Sequence, residues 1–256
     1  MKFIDWLYSN YEAFGAIKID GQWKLLHILT LVLCVGIIIL LTFLFKNKND
    51  KSKRIVIFCL TGLILFFEIV RRIINFSKIT DLTFNSVLST LLPRPWCAIS
   101  CWVLIISPII NKKFYYNFSS ITALICAIIF FAYPGVGFNH SVILFENLYS
   151  IATHSLLLIT SITLITLKMV DFKYKTCYKE AICYGVILLY SFIEIFLLKI
   201  EDDPMYFLPN NDIQNILGIK YPWFLLIYVL FLFIYFNIFY LISERKKIKQ
   251  LFKKNK

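Results

Sequence analysis

The sequence predicts an all-α polytopic membrane protein, a bundle of seven transmembrane helices, and three observations lead there. Of its 256 residues, 59% are hydrophobic and 18% aromatic, where soluble domains sit near about 45–50% apolar. The excess is gathered in separate runs of roughly 17–25 apolar residues, the length a helix needs to cross the hydrocarbon core. The net charge of +12, from 27 basic and 15 acidic residues, lies mostly in the short stretches between those runs and at the C-terminus. That placement argues against nucleic acid as a partner, because it is the distribution that membrane insertion and anionic lipids select.

Residues 1–24 form an N-terminal segment in which Phe3, Trp6, Leu7, Tyr8, Tyr11 and Phe14 recur partly at helical spacing. This predicts a helix lying in the membrane interface. The transmembrane domain covers 25–242, with spans at 25–45, 54–74, 95–110, 114–133, 143–167, 178–199 and 221–242. The third is short and follows Val87–Leu92, Pro93 and Pro95. The chain is therefore expected to pass there through a broken or re-entrant segment, which a membrane tolerates only where protein or water covers the free backbone groups. Residues 243–256 form a basic tail. The first apolar run begins at Leu25, behind an aromatic, mixed-charge stretch, and is too long for the apolar region of a cleavable signal.

Lys and Arg set the orientation. Residues 46–54, 111–113, 168–179 and 243–256 together carry 18 of them, and the segments on the other side carry 9. The richer side is expected to be cytoplasmic, which places the N-terminus outside, the C-terminus inside and the protein in the cell membrane as a multi-pass chain. The seven cysteines are odd in number, lie mostly inside apolar runs and show no zinc-ligand spacing. Neither a disulfide framework nor a metal is implied, and no cofactor is expected; most of the thiols read as small apolar fillers.

Polar groups inside apolar runs are costly and usually functional. Glu68 lies in the second span with Arg71 and Arg72 three and four residues on, spacings that share one helix face and predict an intrahelical ion pair. Glu194 lies in the outer part of the sixth span near Lys199, His154 lies in the fifth, and His27 opens the first. Three irregular segments containing proline, 92–97, 133–140 and 201–209, meet the outer side, an arrangement that builds a cavity mouth on a helical scaffold. Near it stand Cys97 as a nucleophile and His154 as its base, with Arg94 three residues before the thiol to add positive potential or hold a phosphate.

Several of these residues resemble a known family. Leu92-Pro-Arg-Pro-Trp-Cys97 resembles the LPLHLC element of the YwaF-like bacterial membrane proteins, whose eukaryotic relative is transmembrane protein 164. Phe114-Tyr115-Tyr116 through Tyr133-Pro134-Gly135 to His154-Ser155 is similar to that family's aromatic-rich span, loop proline and later His-Gly. Asp203-Pro-Met-Tyr-Phe-Leu208, Pro209, Leu217-Gly218 and Tyr221-Pro222-Trp223 resemble its ending, and His27 matches a histidine at its first helix. Pro95 stands where the family motif has histidine, Ser155 where it often has glycine, and Pro204 interrupts the last element. The resemblance implies a lipid acyltransferase in which Cys97 accepts the acyl group and His154 is the base.

The expected function is thus acyl transfer on a membrane phospholipid or acyl lipid. Arg94, Arg71 and Arg72 would hold the head group, with Glu68 and Glu194 as further substrate contacts. A transporter or small-molecule receptor with an outward polar cavity is the alternative, in which Glu68, Glu194 and the arginine pair contact a ligand or proton. The third reading is a structural or assembly protein whose buried polar groups pair only with one another.

Overall fold

A computed structural model describes residues 24–77, 79, 83–94, 96–132, 138, 145–198, 208, 209 and 212–254, and all its regular elements among these are helical. The expected interfacial helix at the N-terminus lies outside the described residues, as do Lys199 and most of the 134–142 and 201–209 segments.

Helix α1, Leu25–Phe45, is an uninterrupted aliphatic run that gives way to Lys46-Asn47-Lys48. Helix α2, Asp50–Ser77, starts where Asn49 Oδ1 accepts the Ser52 N–H at 2.8 Å; Asn49 thereby satisfies one of the orphan donors of a helix start. Helix α3, Phe84–Leu91, begins with a reciprocal cap between Thr83 and Ser86. It stops at Leu92, which is extended at φ −68° and ψ 143°, because the following Pro93 excludes the helical conformation there. Helix α4, Trp96–Ile110, resumes at a 59° bend to α3. Its Pro108 has no N–H for the Leu104 carbonyl, and the Ser107 hydroxyl donates to that carbonyl instead, at 2.7 Å. Asn111, at φ +50°, then ends the helix, in a left-handed conformation that asparagine tolerates.

Helix α5 is Lys113–Ala132 and α6 is Phe145–Thr166. The latter closes with Met169 N–H on the Leu164 carbonyl at 3.0 Å and Lys168 at φ +58°, a left-handed C-terminal cap in which lysine stands where glycine is usual. A 3₁₀ turn, Tyr174–Thr176, leads into α7, Cys177–Phe192, which widens into a π-helical turn at Ile193–Leu197. Helix α8, Asp212–Leu217, and α9, Trp223–Lys254, complete the described chain. A helix lies over each of the expected apolar runs, with the largest difference at α9. It continues to Lys254, where the sequence reading placed a separate tail from residue 243; Glu244 to Lys249 contains only good helix formers and isoleucine, and nothing there stops the helix.

The described residues divide into two compact units, one within Met1–Lys112 and Ser119–Met169, the other within Lys113–Phe118 and Val170–Lys256. In the first, α2 packs on α4 and α6, α1 packs on α6, and α3 folds back on α2. Ser100, Ser119, Ser120, Thr122, Thr160, Ser161 and Thr163 are fully buried there; such small hydroxyl residues let helices approach closely. Thr42 and Thr166 hydroxyls meet at 2.8 Å, and Arg54 Nε donates to the Pro108 carbonyl at 2.9 Å. In the second unit, Phe118 stacks edge-on against Tyr184, and Tyr184 against Phe236.

Helices α1, α5 and α9, most of α6 and the α7 segment from Tyr174 to Leu197 are each long and apolar enough to cross a membrane, five in all among the described residues, and the bent α3–α4 pair makes a sixth if it is one broken span. Helix α2 is longer than most of them but carries Glu68, Arg71 and Arg72 in its second half. Large apolar side chains such as Phe43 and Leu25 on α1 and Trp223 and Phe233 on α9 face outward. In water they would be a liability; lipid is their natural solvent.

Candidate functional site

The α3–α4 break is the most polar construction of the first unit. Breaking a helix inside an apolar environment strands backbone carbonyls that must find donors. Three arginines supply them. Arg94 Nη2 donates to the Ser89 carbonyl at 3.2 Å, Arg72 Nε to Leu91 at 3.1 Å, and Arg71 Nη1 to Arg94 at 3.3 Å. The two α2 cations are in turn held by Glu68, which is 2% exposed. Arg71 Nη2 reaches its Oε2 at 2.9 Å, and Arg72 Nη1 binds the same oxygen. The ion pair expected from the spacing is therefore present, and its cations also clamp the broken turn. Arg72 additionally lies 5.2 Å from the centre of the Trp102 ring. Arg71 Nε and Arg72 Nη2 remain buried and bond to no described residue.

Cys97 sits in the first turn of α4, directly after the clamped segment, and is partly exposed. Its neighbour Trp96 is buried, with Nε1 donating to the Thr122 carbonyl at 3.4 Å, which fixes this turn against α5. Cys101, one turn on, is buried. On α6, His154 is 9% exposed and lies flat on Phe130, ring centres 3.9 Å apart. Its Nδ1 is 2.8 Å from the Ser150 carbonyl. A carbonyl only accepts, so Nδ1 carries the proton and Nε2 is the lone-pair nitrogen of the neutral ring.

Glu194 belongs to the other unit. It is fully buried in the π-helical turn and accepts from the Tyr190 hydroxyl at 2.7 Å. The structure thus gathers Glu68, Arg71, Arg72 and Arg94 at one helix break, with Cys97 in the turn that follows, and holds His154 on α6 against Phe130, while Glu194 belongs to the other unit.

Sequence reasoning passed over Asn117, Glu180, Ser150 and Phe130. Glu180 is 4% exposed and accepts from Asn117 Nδ2 at 2.7 Å. Both residues stand inside predicted spans, so the rule that singled out Glu68 applies equally to them. Ser150 and Phe130 carry no such signal, because a serine and a phenylalanine are ordinary in an apolar helix.

Helices with outward apolar faces of spanning length, and charges turned inward onto each other and onto broken backbone, define a multi-pass integral membrane protein. The chain belongs to the TMEM164 family, whose sequence pattern matches residues 21–240. No curated protein and no solved structure matches it.

Proposed function

We propose that this protein is a lipid acyltransferase of the cell membrane that spans the bilayer seven times, through α1, α2, α3–α4, α5, α6, α7 and α9, with its N-terminus outside and its C-terminus in the cytoplasm. The observation that carries the chemical reading is a buried histidine whose tautomer is set: the Ser150 carbonyl holds the Nδ1 proton and leaves Nε2 to act as base, in this reading for the Cys97 thiol. In the reaction, Nε2 takes the thiol proton and the Cys97 thiolate attacks the ester carbonyl of a phospholipid. The sulfur–carbon bond forms, the ester carbon–oxygen bond breaks, and the leaving lysolipid alkoxide takes the proton from the imidazolium. An acceptor hydroxyl then gives its proton to Nε2 and attacks the thioester, which frees the thiolate. The unengaged N–H groups of Arg71 and Arg72 suit one head-group phosphate, and Arg94 and Glu68 hold the turn in place.

Purified protein given a phospholipid with a labelled acyl chain should form an adduct that hydroxylamine removes. Cys97→Ala should abolish the adduct, and His154→Ala should slow its formation by about 10²–10⁴-fold, the usual share of a general base. Cys101→Ala should leave it intact. An adduct that survives Cys97→Ala, or no adduct on the wild type with any phospholipid offered, would remove the acyl-transfer reading. The transporter reading draws on buried Glu194 at a π-helical turn, a feature frequent at functional sites. It predicts instead binding of a water-soluble ligand that depends on Glu194 and ignores Cys97. Orientation is tested separately, by labelling cysteines introduced in the 134–142 and 199–220 loops from outside intact cells; protection of both with labelling of the tail would reverse it.

A further inference from the structure

The second unit contains a cleft of about 260 Å³ between the start of α5 and the segment leading into α7. Lys113, Lys173 and Lys179 stand around it. We propose that this cleft is a binding site for a phosphate group, with the three lysines as its cationic rim and Asn117 as its fixed floor.

The floor is rigid for a stated reason. Asn117 is 1% exposed and uses both ends of its amide. Nδ2 donates to Glu180 Oε1 at 2.7 Å and to the Asp171 carbonyl at 2.9 Å, while Oδ1 accepts from the Asp171 N–H at 2.7 Å. This side chain therefore locks residue 171 onto α5 and α7, and with it the turn that carries Lys173. Thr176 reinforces the turn by donating to the Lys173 carbonyl at 3.1 Å. Lys179 is held over the Phe114 and Tyr178 rings, 5.8 and 5.9 Å from their centres. The cations are thus presented on a preformed frame, which lowers the ordering cost of binding.

The charge balance at the rim favours an anion. Against three ammonium groups the lining offers one carboxylate, Asp171, whose Oδ2 is 2.6 Å from Lys173 Nζ, and the buried Glu180 carboxylate lies behind Asn117. That pair is about half exposed, so it is weak and exchangeable; a phosphate can take over Lys173 without breaking a buried bond. Two helices, α5 and α7, start beside the cleft, and their N-terminal dipoles add to the positive potential. The volume lies just below the roughly 300–1,000 Å³ of sites for drug-sized ligands, which suits the phosphate group of a ligand whose remainder lies outside the cleft. In the orientation proposed above the cleft faces the cytoplasmic leaflet, where anionic lipids are found. The site stands independently of the acyl-transfer chemistry, since none of its residues takes part in it.

The test uses the full-length protein in phosphatidylcholine nanodiscs, with dioleoylphosphatidic acid as the lipid probe and inorganic phosphate as the soluble one. At about 1 kcal/mol per lysine near a membrane surface, each Lys→Gln change should weaken binding about 5-fold. Lys113→Gln, Lys173→Gln and Lys179→Gln together should weaken it on the order of 100-fold. A control triple on another basic loop, Lys46→Gln, Lys48→Gln and Lys53→Gln, should change it little. Asp171→Asn removes the competing carboxylate and should tighten binding by a few-fold, which keeps the test decisive if the cleft triple misfolds. Saturable binding of phosphatidic acid with this pattern supports a lipid phosphate; the same pattern with inorganic phosphate alone supports a soluble source. No saturable binding of either probe, equal loss in the control triple, or an Asp171→Asn variant no tighter than wild type overturns the proposal.

Discussion

The helix break at Glu68 and the cleft at Glu180 both bury a carboxylate between helices, yet they treat charge in opposite ways. Glu68 is answered by two guanidinium groups, and those groups go on to bind the carbonyls of Leu91 and Arg94. Glu180 is answered by a neutral amide, Asn117, while the nearby lysines stay at the rim. In the first region the cations serve the architecture first, because a broken helix in an apolar setting leaves carbonyl acceptors that need donors, and Arg71 Nε and Arg72 Nη2 bond to no described residue. In the second the segment at Asp171 is held by Asn117, and the lysines stand at the rim. A charged residue in a membrane protein is therefore best judged by which acceptors already surround it and less by its presence in an apolar run.

The difference predicts unequal costs of removing the two carboxylates. Glu68→Gln should be the more severe, because it leaves two buried guanidinium groups without their counter-charge; the expected loss is about 3–5 kcal/mol, as for other broken buried pairs. Reversible unfolding in mixed dodecyl maltoside and sodium dodecyl sulfate micelles would measure it. Asn117→Ala should come next, at about 1–3 kcal/mol, since it leaves the Glu180 carboxylate and the Asp171 N–H without their shared partner. The same unfolding assay reports the loss, and the variant should also weaken phosphate binding at the cleft. Glu180→Gln should cost only about 1 kcal/mol: it strands no cation, and an amide can turn its oxygen toward Asn117 Nδ2. If Glu180→Gln proves as costly as Glu68→Gln, the contrast between the two regions collapses. The smallest effect is expected at Ser107→Ala, about 0.5–1.5 kcal/mol for one hydrogen bond, because it uncovers the Leu104 carbonyl that Pro108 cannot serve.

Sequence reading found the α3–α4 break and the Glu68 pair for local reasons. Pro93 and Pro95 forbid helix at fixed positions, and residues three and four apart share a face in any helix. It also offered Arg71, Arg72 and Arg94 as contacts for a head group. The structure shows each of the three donating to a backbone carbonyl of the chain itself, while Arg71 Nε and Arg72 Nη2 bond to no described residue. The candidate nucleophile and base were legible as residue types. The contact of the His154 ring with Phe130 was not, since Phe130 lies on another helix.

By itself the sequence determined where the helices lie, that lipid is their solvent, and which charges pair within one turn. These properties depend on runs and spacings of at most about 25 residues, and lipid makes them strict, because every exposed polar group inside it is penalised. Only the tertiary structure decided which acceptors the arginines satisfy, that Ser150 sets the tautomer of His154 while Phe130 lies on its ring, and that Asn117 joins Glu180 to Asp171 across 54 and 63 residues of chain. Among these, the arginine, Phe130 and Asn117 contacts are long-range: each depends on how two helices are turned toward one another, which side-chain packing fixes and no local spacing records.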